Sequence, residues 1–334
     1  MLREVCNAGI IGVGAYLPDR VLTNDELQKM VDTNDQWIRT RSGIRERRIA
    51  APELATSDLA VIAGERALAD AGVAPEELGL IIVATNTPDT IFPATACLVQ
   101  DRLGAVKAAA FDLAAGCTGF VYALATGSQF IASDAYKKVL VIGAECLSRI
   151  VNWEDRKTCV LFGDGAGAVV LSPVPAGNGI LSFTLRSDGA KGQFLTLPAG
   201  GSRQPATRET VDQKLHTIHM EGREVFKFAV RVMGKGALEA LAAAGLKRSD
   251  IDYFIPHQAN IRIIESAAKR LNLPMDRVLV NLDRYGNTST ASIPLALTEA
   301  VQSGRIKQGD HIVMVGFGAG LTWGATVIKW GSPA

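Results

Sequence analysis

The sequence predicts an α/β fold built from two similar halves. Three observations carry this: a helix-to-strand passage that occurs twice, apolar strand runs with no polar alternation, and a length of 334 residues. That length can bury a large core in one long domain or in two fused ones. Hydrophobic residues make up 48% and charged residues 21%, the range of ordinary globular proteins rather than of disordered or membrane chains.

The passage first occurs at Ala67-Leu-Ala-Asp-Ala-Gly72, a helix end closed by glycine; residues 73–82 then supply a polar turn and a buried strand. Leu241-Ala-Ala-Ala-Gly245 with residues 246–255 repeats it. Aligning the two glycines sets a shift of 173 residues, which also carries Glu77 onto Asp250, Leu78 onto Ile251 and Ile82 onto Ile255. Further along, the same shift lays Val139-Leu-Val-Ile-Gly143 on Ile312-Val-Met-Val-Gly316, two β-rich runs that each close on glycine. A duplicated unit is expected, with halves at 1–177 and 178–334. The runs 80–84, 139–142 and 312–315 are apolar throughout, as strands covered by helices on both faces are. Ligands should collect where the strand ends of the two halves converge. Residues 173–179, rich in Pro and Gly, predict the crossover between halves. Residues 187–209 predict a long loop, either an insertion near the site or a disordered segment.

Formal net charge is +1, so the overall balance calls for neither nucleic acid nor a membrane as partner, and any basic docking surface must be local. The five cysteines (Cys6, Cys97, Cys117, Cys146 and Cys159) are odd in number and include no C-x-x-C pair. That usage points to a reducing, cytoplasmic setting rather than to a disulfide frame or zinc knuckle. His216 and His219 stand three apart without a companion cluster of ligand spacing and read as structural; no metal is expected. Residues 1–20 carry an early acid, glycines through the apolar part and Pro18, unlike a signal peptide. No run approaches the roughly 18–20 apolar residues of a membrane span.

Cys117 stands where the run Phe111-Asp-Leu-Ala-Ala-Gly-Cys117 ends and an apolar helix, 120–131, begins. A thiol at a helix N-terminus meets unpaired N–H groups and the positive end of the dipole, which favour thiolate and attack on a thioester. Taken alone, a free cysteine reads as a small buried hydrophobe. Two further residues outweigh that reading: His257, in Ile255-Pro-His-Gln-Ala-Asn260, and Asn287, in Tyr285-Gly-Asn-Thr-Ser289, both after β-like runs and before helices. Under the 173-residue shift Asn287 falls on Ala114, in the corner that holds Cys117, and His257 falls on Ala84 at the end of a neighbouring strand. A Cys, a neutral His and an Asn converging there would stabilise charge developing on a thioester oxygen. Singly, the His reads as a hydrogen-bonded turn residue and the Asn as a turn former. Phe317-Gly-Ala-Gly320, taken to follow the last strand, has little side-chain bulk and reads as an oxyanion hole or a tight turn. Gly163-Asp-Gly-Ala-Gly167 lacks the Lys and Ser/Thr of a phosphate loop and reads as a turn near the site. Gly12-Val-Gly14 lacks the third glycine of the dinucleotide fingerprint, Leu17 standing in its place.

With these residues in place, the chain resembles the β-ketoacyl-acyl-carrier-protein synthase III family, the initiating condensing enzymes of type II fatty-acid synthesis within the thiolase-like superfamily. The likeness covers nearly the whole chain. It rests on Trp37-Ile-Arg-Thr-Arg-Ser-Gly-Ile-Arg-Glu-Arg47, Ala115-Gly-Cys117, Phe162-Gly-Asp-Gly-Ala-Gly167, His257-Gln-Ala-Asn260, Tyr285-Gly-Asn-Thr-Ser289, and Phe317-Gly-Ala-Gly320 ahead of Thr322-Trp-Gly324. Thiolases and elongating synthases pair their nucleophile with His and Cys or with two His; Cys, His and Asn match the initiating branch. The resemblance implies a layered α-β-α-β-α, thiolase-like fold. It also implies decarboxylative Claisen condensation of an acyl-CoA primer, acetyl or short branched, with malonyl-acyl carrier protein. Cys117 becomes the acyl acceptor, with its own N–H and that of Ala319 as oxyanion hole, and neutral His257 and Asn287 hold the malonyl thioester oxygen. Ala319 stands where the family more often has glycine. A relative in specialised metabolism and a non-catalytic acyl-binding protein are the competing readings.

The same resemblance implies coenzyme A contacts at Trp37, Arg41, Arg156, Phe226 and Asn260, where indole and guanidinium groups offer stacking faces and phosphate-binding forks. It implies a carrier-protein docking patch at Lys227, Arg262, Lys269 and Arg270, an attraction that salt would weaken. It implies a homodimer in which Phe92, within Thr90-Ile-Phe-Pro93, reaches into the partner's acyl pocket. No cofactor is implied, acyl-CoA being a substrate.

Overall fold

The computed structural model describes residues 7–331; Cys6 and the rest of 1–6 lie outside the described residues, as do 332–334. The first half runs β1 (Asn7–Tyr16), β2 (Arg20–Thr23), α1 (Asn24–Leu27), α2 (Asp35–Ser42), β3 (Glu46–Ile49), α3 (Thr56–Ala71), β4 (Leu80–Ala84), α4 (Thr95–Leu103), β5 (Ala109–Leu113), α5 (Gly119–Ala132), β6 (Val139–Glu145) and β7 (Gly165–Val174). The second runs β8 (Gly179–Ser187), β9 (Leu195–Thr196), α6 (Arg208–Asp212), β10 (His219–Met220), α7 (Gly222–Ala243), β11 (Tyr253–Pro256), α8 (Ile261–Leu271), α9 (Leu282–Tyr285), α10 (Ser292–Gln302), β12 (His311–Gly318) and β13 (Thr322–Lys329).

The main sheets have the orders β1-β7-β6-β4-β5 and β8-β13-β12-β11. In each, the first two pairings are antiparallel and the rest parallel, and a parallel bridge from Phe254 to Val278 stands where β5 stands in the other sheet. The 173-residue shift holds in the backbone. It carries the 3-10 turn Pro75–Glu77 onto Arg248–Asp250 and the start of α5 onto that of α10. Gly72 and Gly245 turn the chain out of α3 and α7 with φ of 62° and 70°.

Alternate residues of one strand feed different cores, which is why the strands carry no polar face. Leu80, Ile82, Val139 and Val141 join Ile312 and Met314 of the other sheet around α5 (Phe120, Leu124) and α10 (Ile293, Leu297). Ile81, Val83, Leu140 and Ile142 pack on α3 and α4 through Leu59 and Val99. Val313 and Val315 pack on α7 and α8 through Phe228, Met233 and Ile264. The result is five layers, α-β-α-β-α, of the thiolase-like kind.

Three stretches differ from the sequence reading. β7 runs through Val174 and β8 starts at Gly179, so the crossover is only 175–178. Gly165, Ala166 and Gly167 lie in β7 rather than in a turn; small residues are needed because a side chain at Gly167 would come within 2.7 Å of Pro294 Cβ in α10. Residues 187–209 hold a 3-10 helix, Gly189–Phe194, and β9, which pairs with β10, so the stretch is built structure rather than a bare loop.

Gly143, in the middle layer of contacts on β6, lets the turn before α10 descend onto the sheet: a Cβ there would lie 2.3 Å from the Thr290 carbonyl oxygen. Gly143→Ala should therefore lower the unfolding free energy by about 2 kcal/mol, read by urea titration, because backbone rather than a mobile side chain blocks the methyl. An unchanged urea midpoint would mean that the turn retreats without cost.

Candidate active site

Two chain corners and a hairpin meet between the sheets. Cys117 follows β5 and stands one residue before Thr118, the N-cap of α5. His257 follows β11, and its backbone N–H donates to Val315 O at 2.8 Å. Asn287 follows the short helix α9 rather than a strand. Its segment is pinned to residues 161–163, Asn287 N–H donating to Leu161 O at 2.8 Å and Gly163 N–H donating to Asn287 O at 3.0 Å. Cys117, His257 and Asn287 line one narrow cavity of about 100 Å³, with Phe226, Asn260, Phe317 and Gly318 also in its wall.

Phe317-Gly-Ala-Gly320 is the β12–β13 hairpin, not the end of the last strand. It lies flat against the nucleophile: a Cβ on Gly318 would sit 2.2 Å from Cys117 N, and one on Gly116 would sit 2.5 Å from Ala319 N. Both strips are stitched by Thr322, whose Oγ1 lies 2.8 Å from Ala115 O, 3.1 Å from Ala319 O and 3.0 Å from Thr118 Oγ1. The amides of Cys117 and Ala319 are thus held as neighbours, a pairing suited to an oxyanion. The alanine methyl at 319 leaves that backbone donor intact.

His257 is 1% exposed, and burial pushes its pKa down to about 3, so the ring is neutral. Its Nδ1 lies 2.7 Å from Ser292 Oγ, which also accepts the Gln258 N–H at 3.4 Å. When the Ser292 hydroxyl donates to Nδ1, the neutral ring carries its hydrogen on Nε2, the nitrogen left to donate to a ligand. The ring edge rests on Phe317, centroids 5.3 Å apart. Asn287 is oriented as firmly, since its Oδ1 accepts the Ser289 N–H at 2.9 Å and Nδ2 is the end left for a ligand.

The thiol departs from expectation. Cys117 is half-buried, and loss of water around its sulfur pushes the thiol up to about 12, with the Glu145 carboxyl acting in the same direction; the Ser289 hydroxyl and the residue's own N–H pull the other way. Desolvation outweighs these donors because burial takes water away from the charged form of the sulfur. Beneath it, fully buried Glu145 accepts from Asn86 Nδ2 at 2.6 Å and Thr87 Oγ1 at 2.7 Å and meets Thr290 Oγ1 at 3.0 Å; burial raises its pKa.

A wider cavity of about 480 Å³ opens on the other side of Cys117, walled by Ile91, Leu147, Ile150, Leu195, Leu197 and Ile218, with Ser289 and Ala319 at its inner end. A still larger depression along Asp35, Arg39 and Arg45 is polar and holds none of the candidate residues. Of the residues that line the narrow cavity, Phe226 lies under Arg262 at 5.4 Å and Asn260 Nδ2 donates to Arg41 O at 2.9 Å; elsewhere Arg156 lies over the Trp37 ring at 5.5 Å. Lys227, Arg262, Lys269 and Arg270 are exposed on α7 and α8, and Lys227 pairs with Glu224 at 2.7 Å. Phe92, 84% exposed, stands outside both cavities. Among the described residues no group of His, Cys, Asp or Glu is arranged to hold a metal, and no helix is long and apolar enough to cross a membrane.

Ser289, Ser292, Thr322, Asn86 and Glu145 escaped the sequence reading. For the two serines the available signal was the hydroxyl-rich run from Asn287 to Ser292, too many hydroxyls for a turn alone. Nothing local marks Asn86 or Glu145.

Residues 111–189 match the model of the 3-oxoacyl-[acyl-carrier-protein] synthase III family, and residues 241–330 match its C-terminal model. The chain is 63% identical to a β-ketoacyl-[acyl-carrier-protein] synthase III of Desulfitobacterium hafniense over 97% of this chain and 98% of that one. The crystal structure of the synthase III from Thermus thermophilus superposes with a TM-score of 0.90 at 52% identity, covering 97% of this chain and 99% of that one. That from Aquifex aeolicus gives 0.89 at 49%, covering 97% and 100%.

The buried imidazole makes stability pH-dependent. His257 stays neutral when folded down to about pH 3 but takes up a proton near pH 6.5 when unfolded, so acid favours the unfolded chain. Its contribution is complete above pH 6.5 and is lost as pH falls towards 3. Between pH 7 and pH 5 the unmodified protein should lose about 2 kcal/mol more unfolding free energy than His257→Gln. Parallel pH slopes for the two proteins would mean a charged ring in the folded site.

Proposed function

The chain belongs to the 3-oxoacyl-[acyl-carrier-protein] synthase III family, and from that premise we propose that Cys117, His257 and Asn287 divide its condensation between them. The enzyme is an acyltransferase that joins an acyl-CoA primer to malonyl-acyl carrier protein with loss of carbon dioxide, the first condensation of fatty-acid synthesis. The observation that carries the assignment is the meeting of the three side chains in one narrow cavity, with the imidazole neutral and the amide turned by Ser289.

Cys117 Sγ attacks the primer thioester, and the oxyanion that forms is met by the N–H groups of Cys117 and Ala319. Coenzyme A leaves with the proton, and the acyl chain lies in the aliphatic cavity. The malonyl thioester then enters, its carbonyl oxygen accepting from His257 Nε2 and Asn287 Nδ2. Those bonds strengthen as carbon dioxide leaves and charge moves onto that oxygen, so they favour the transition state over the substrate. The carbanion attacks the acyl carbonyl, and Cys117 is released. A neutral donor suits this step: an imidazolium would need a proton taken up in a site that burial keeps dry.

Trp37, Arg41, Arg156, Phe226 and Asn260 would take coenzyme A along the mouth of the narrow cavity, the adenine displacing or flanking the Arg156 guanidinium over Trp37. Lys227, Arg262, Lys269 and Arg270 would meet an acidic carrier protein. Phe92 and Ile91, 84% and 81% exposed, lie between β4 and α4 near edge strand β5, which pairs only with β4. A second copy would pair that edge and cover those side chains, closing the wide cavity with Phe92. The halves divide at 177 and 178, and the free thiols suit the cytoplasm. Acetyl and short branched primers both fit an aliphatic wall.

Intact mass measurement after mixing with acetyl-CoA and branched acyl-CoAs should show one acyl adduct, absent in Cys117→Ser; no adduct from any primer would end the covalent reading. Asn287→Ala should keep the adduct yet lose at least about a hundredfold in condensation, as the loss of one transition-state donor does. Equal loss of both steps would move Asn287 out of the malonyl half. Light scattering should return twice the mass of one chain, and Phe92→Asp should shift it towards one.

A further inference from the structure

We infer that Asn86 is a positioning residue for the condensation step: it ties the Glu145 carboxylate of the first half to Ser289 of the second and so fixes the direction of the Asn287 amide. This rests on the reading of Asn287 as a donor to the malonyl thioester.

Asn287 is held unevenly. Its backbone is pinned by Leu161 O and the Gly163 N–H at 2.8 and 3.0 Å, which places the main chain but leaves the side-chain torsions free. Among the described residues its side chain makes one hydrogen bond, Oδ1 accepting the Ser289 N–H at 2.9 Å. Where Ser289 holds that N–H therefore decides which way Nδ2 points. Ser289 holds it with φ at 49°, in the left-handed region that serine rarely occupies and that its surroundings have to impose.

The imposing contact is Asn86, which follows β4 and reaches across the interface between the halves. Its Nδ2 donates to Ser289 Oγ at 3.0 Å and to Glu145 Oε1 at 2.6 Å, so both amide hydrogens are spent. Turning the amide over would set Oδ1 against the carboxylate, acceptor against acceptor, so Glu145 dictates which end of Asn86 meets Ser289. The Asn86 backbone N–H donates to Glu145 Oε2 at 3.1 Å and gives the residue a second point of attachment. Glu145 ends β6, is fully buried and is held in turn by Thr87 Oγ1 at 2.7 Å. A rigid strand of the first sheet thus sets a side chain of the second half through two intermediaries.

The turn before α10 keeps an anchor of its own, Thr290 Oγ1 at 2.9 Å from Ala84 O. Loss of the Asn86 bond accordingly unties Ser289 without releasing the turn. Asn86 also lines the wide cavity together with Cys117, so an effect carried by Asn287 has to be separated from one exerted on the primer.

The test compares acetyl loading, followed by intact mass, with condensation onto malonyl-acyl carrier protein, followed by product. Asn86→Ala should slow condensation about tenfold relative to loading, the scale of a small misplacement of one reacting group. Ser289→Ala removes Oγ but keeps the N–H, and it should cost the same. The Asn86→Ala, Ser289→Ala double variant should be no slower than either single one, because the two groups form one link. Asn86→Ala added to Asn287→Ala should change nothing further. A loss that persists in the Asn287→Ala background would overturn the inference, since Asn86 would then act on the primer or on the fold; unchanged condensation in Asn86→Ala would overturn it as well. Should Asn86→Ala not fold, Ser289→Ala leaves Asn86 and Glu145 bonded and decides by the same comparison. One readout needs no turnover: with isotope-labelled asparagine, the Asn287 side-chain amide NMR signal, identified by its absence in Asn287→Ala, should shift in Asn86→Ala and in Ser289→Ala. If the unmodified protein condenses nothing while that signal shifts, the condensing reading fails and the positioning of Asn287 stands. An unmoved signal in an active enzyme overturns the inference and leaves that reading intact.

Discussion

The Thr290 hydroxyl seams the two halves: its Oγ1 lies 2.9 Å from Ala84 O, at the end of β4, and 3.0 Å from Glu145 at the end of β6. The seam is buried, so its polar groups have no water to fall back on and must find one another. Glycine at 143 makes it available by leaving the sheet bare where the turn descends. Everything in the second half's share of the site hangs from that turn. Asn287 precedes it, Ser289 is within it, and Ser292, which orients His257, opens the helix behind it. A second seam, Thr118 to Thr322, holds the hairpin against Cys117. The cavity is therefore a property of the interface between the layers and belongs to neither half.

The electrostatics of that interface are those of a site with little fixed charge. Burial keeps His257 neutral and keeps the resting thiol protonated, and the donors that remain are amides, hydroxyls and one imidazole N–H. Such donors gain strength in a dry cavity without needing a counter-ion, and they are stabilising where charge appears transiently on a carbonyl oxygen. Glu145 fits the same economy: it is spent on Asn86, Thr87 and Thr290, where it organises the polar seam rather than facing substrate.

Much of this was legible in the amino-acid order. The glycine caps at Gly72 and Gly245, the apolar runs on β4, β6 and β12, and the constant shift between them all follow from local rules of helix closure and burial. Those rules act within a few residues and leave a mark there. The placing of Asn287 in the corner opposite Cys117 came from the same shift. Where the reading slipped, the deciding partner was remote in sequence. Gly165 and Gly167 look like a turn until α10 is laid across them. The 317–320 glycines look terminal until β13 folds back. The thiol looks activated by its helix until the packing around it is counted, since desolvation depends on every neighbour in space.

The sequence by itself determined the two-half α/β organisation and singled out Cys117, His257 and Asn287 as the candidate residues, because backbone patterning and residue chemistry are written locally. Only the tertiary structure decided what His257 Nδ1 is bonded to, which way the Asn287 amide turns, how far burial moves the thiol from ionising, and that Ser289 meets both Asn287 and Asn86. Each of these depends on hydrogen bonds and burial supplied from segments up to some two hundred residues apart, as in the 3.0 Å contact of Asn86 with Ser289. Such contacts have no sequence period, and folding alone brings them to hydrogen-bonding distance.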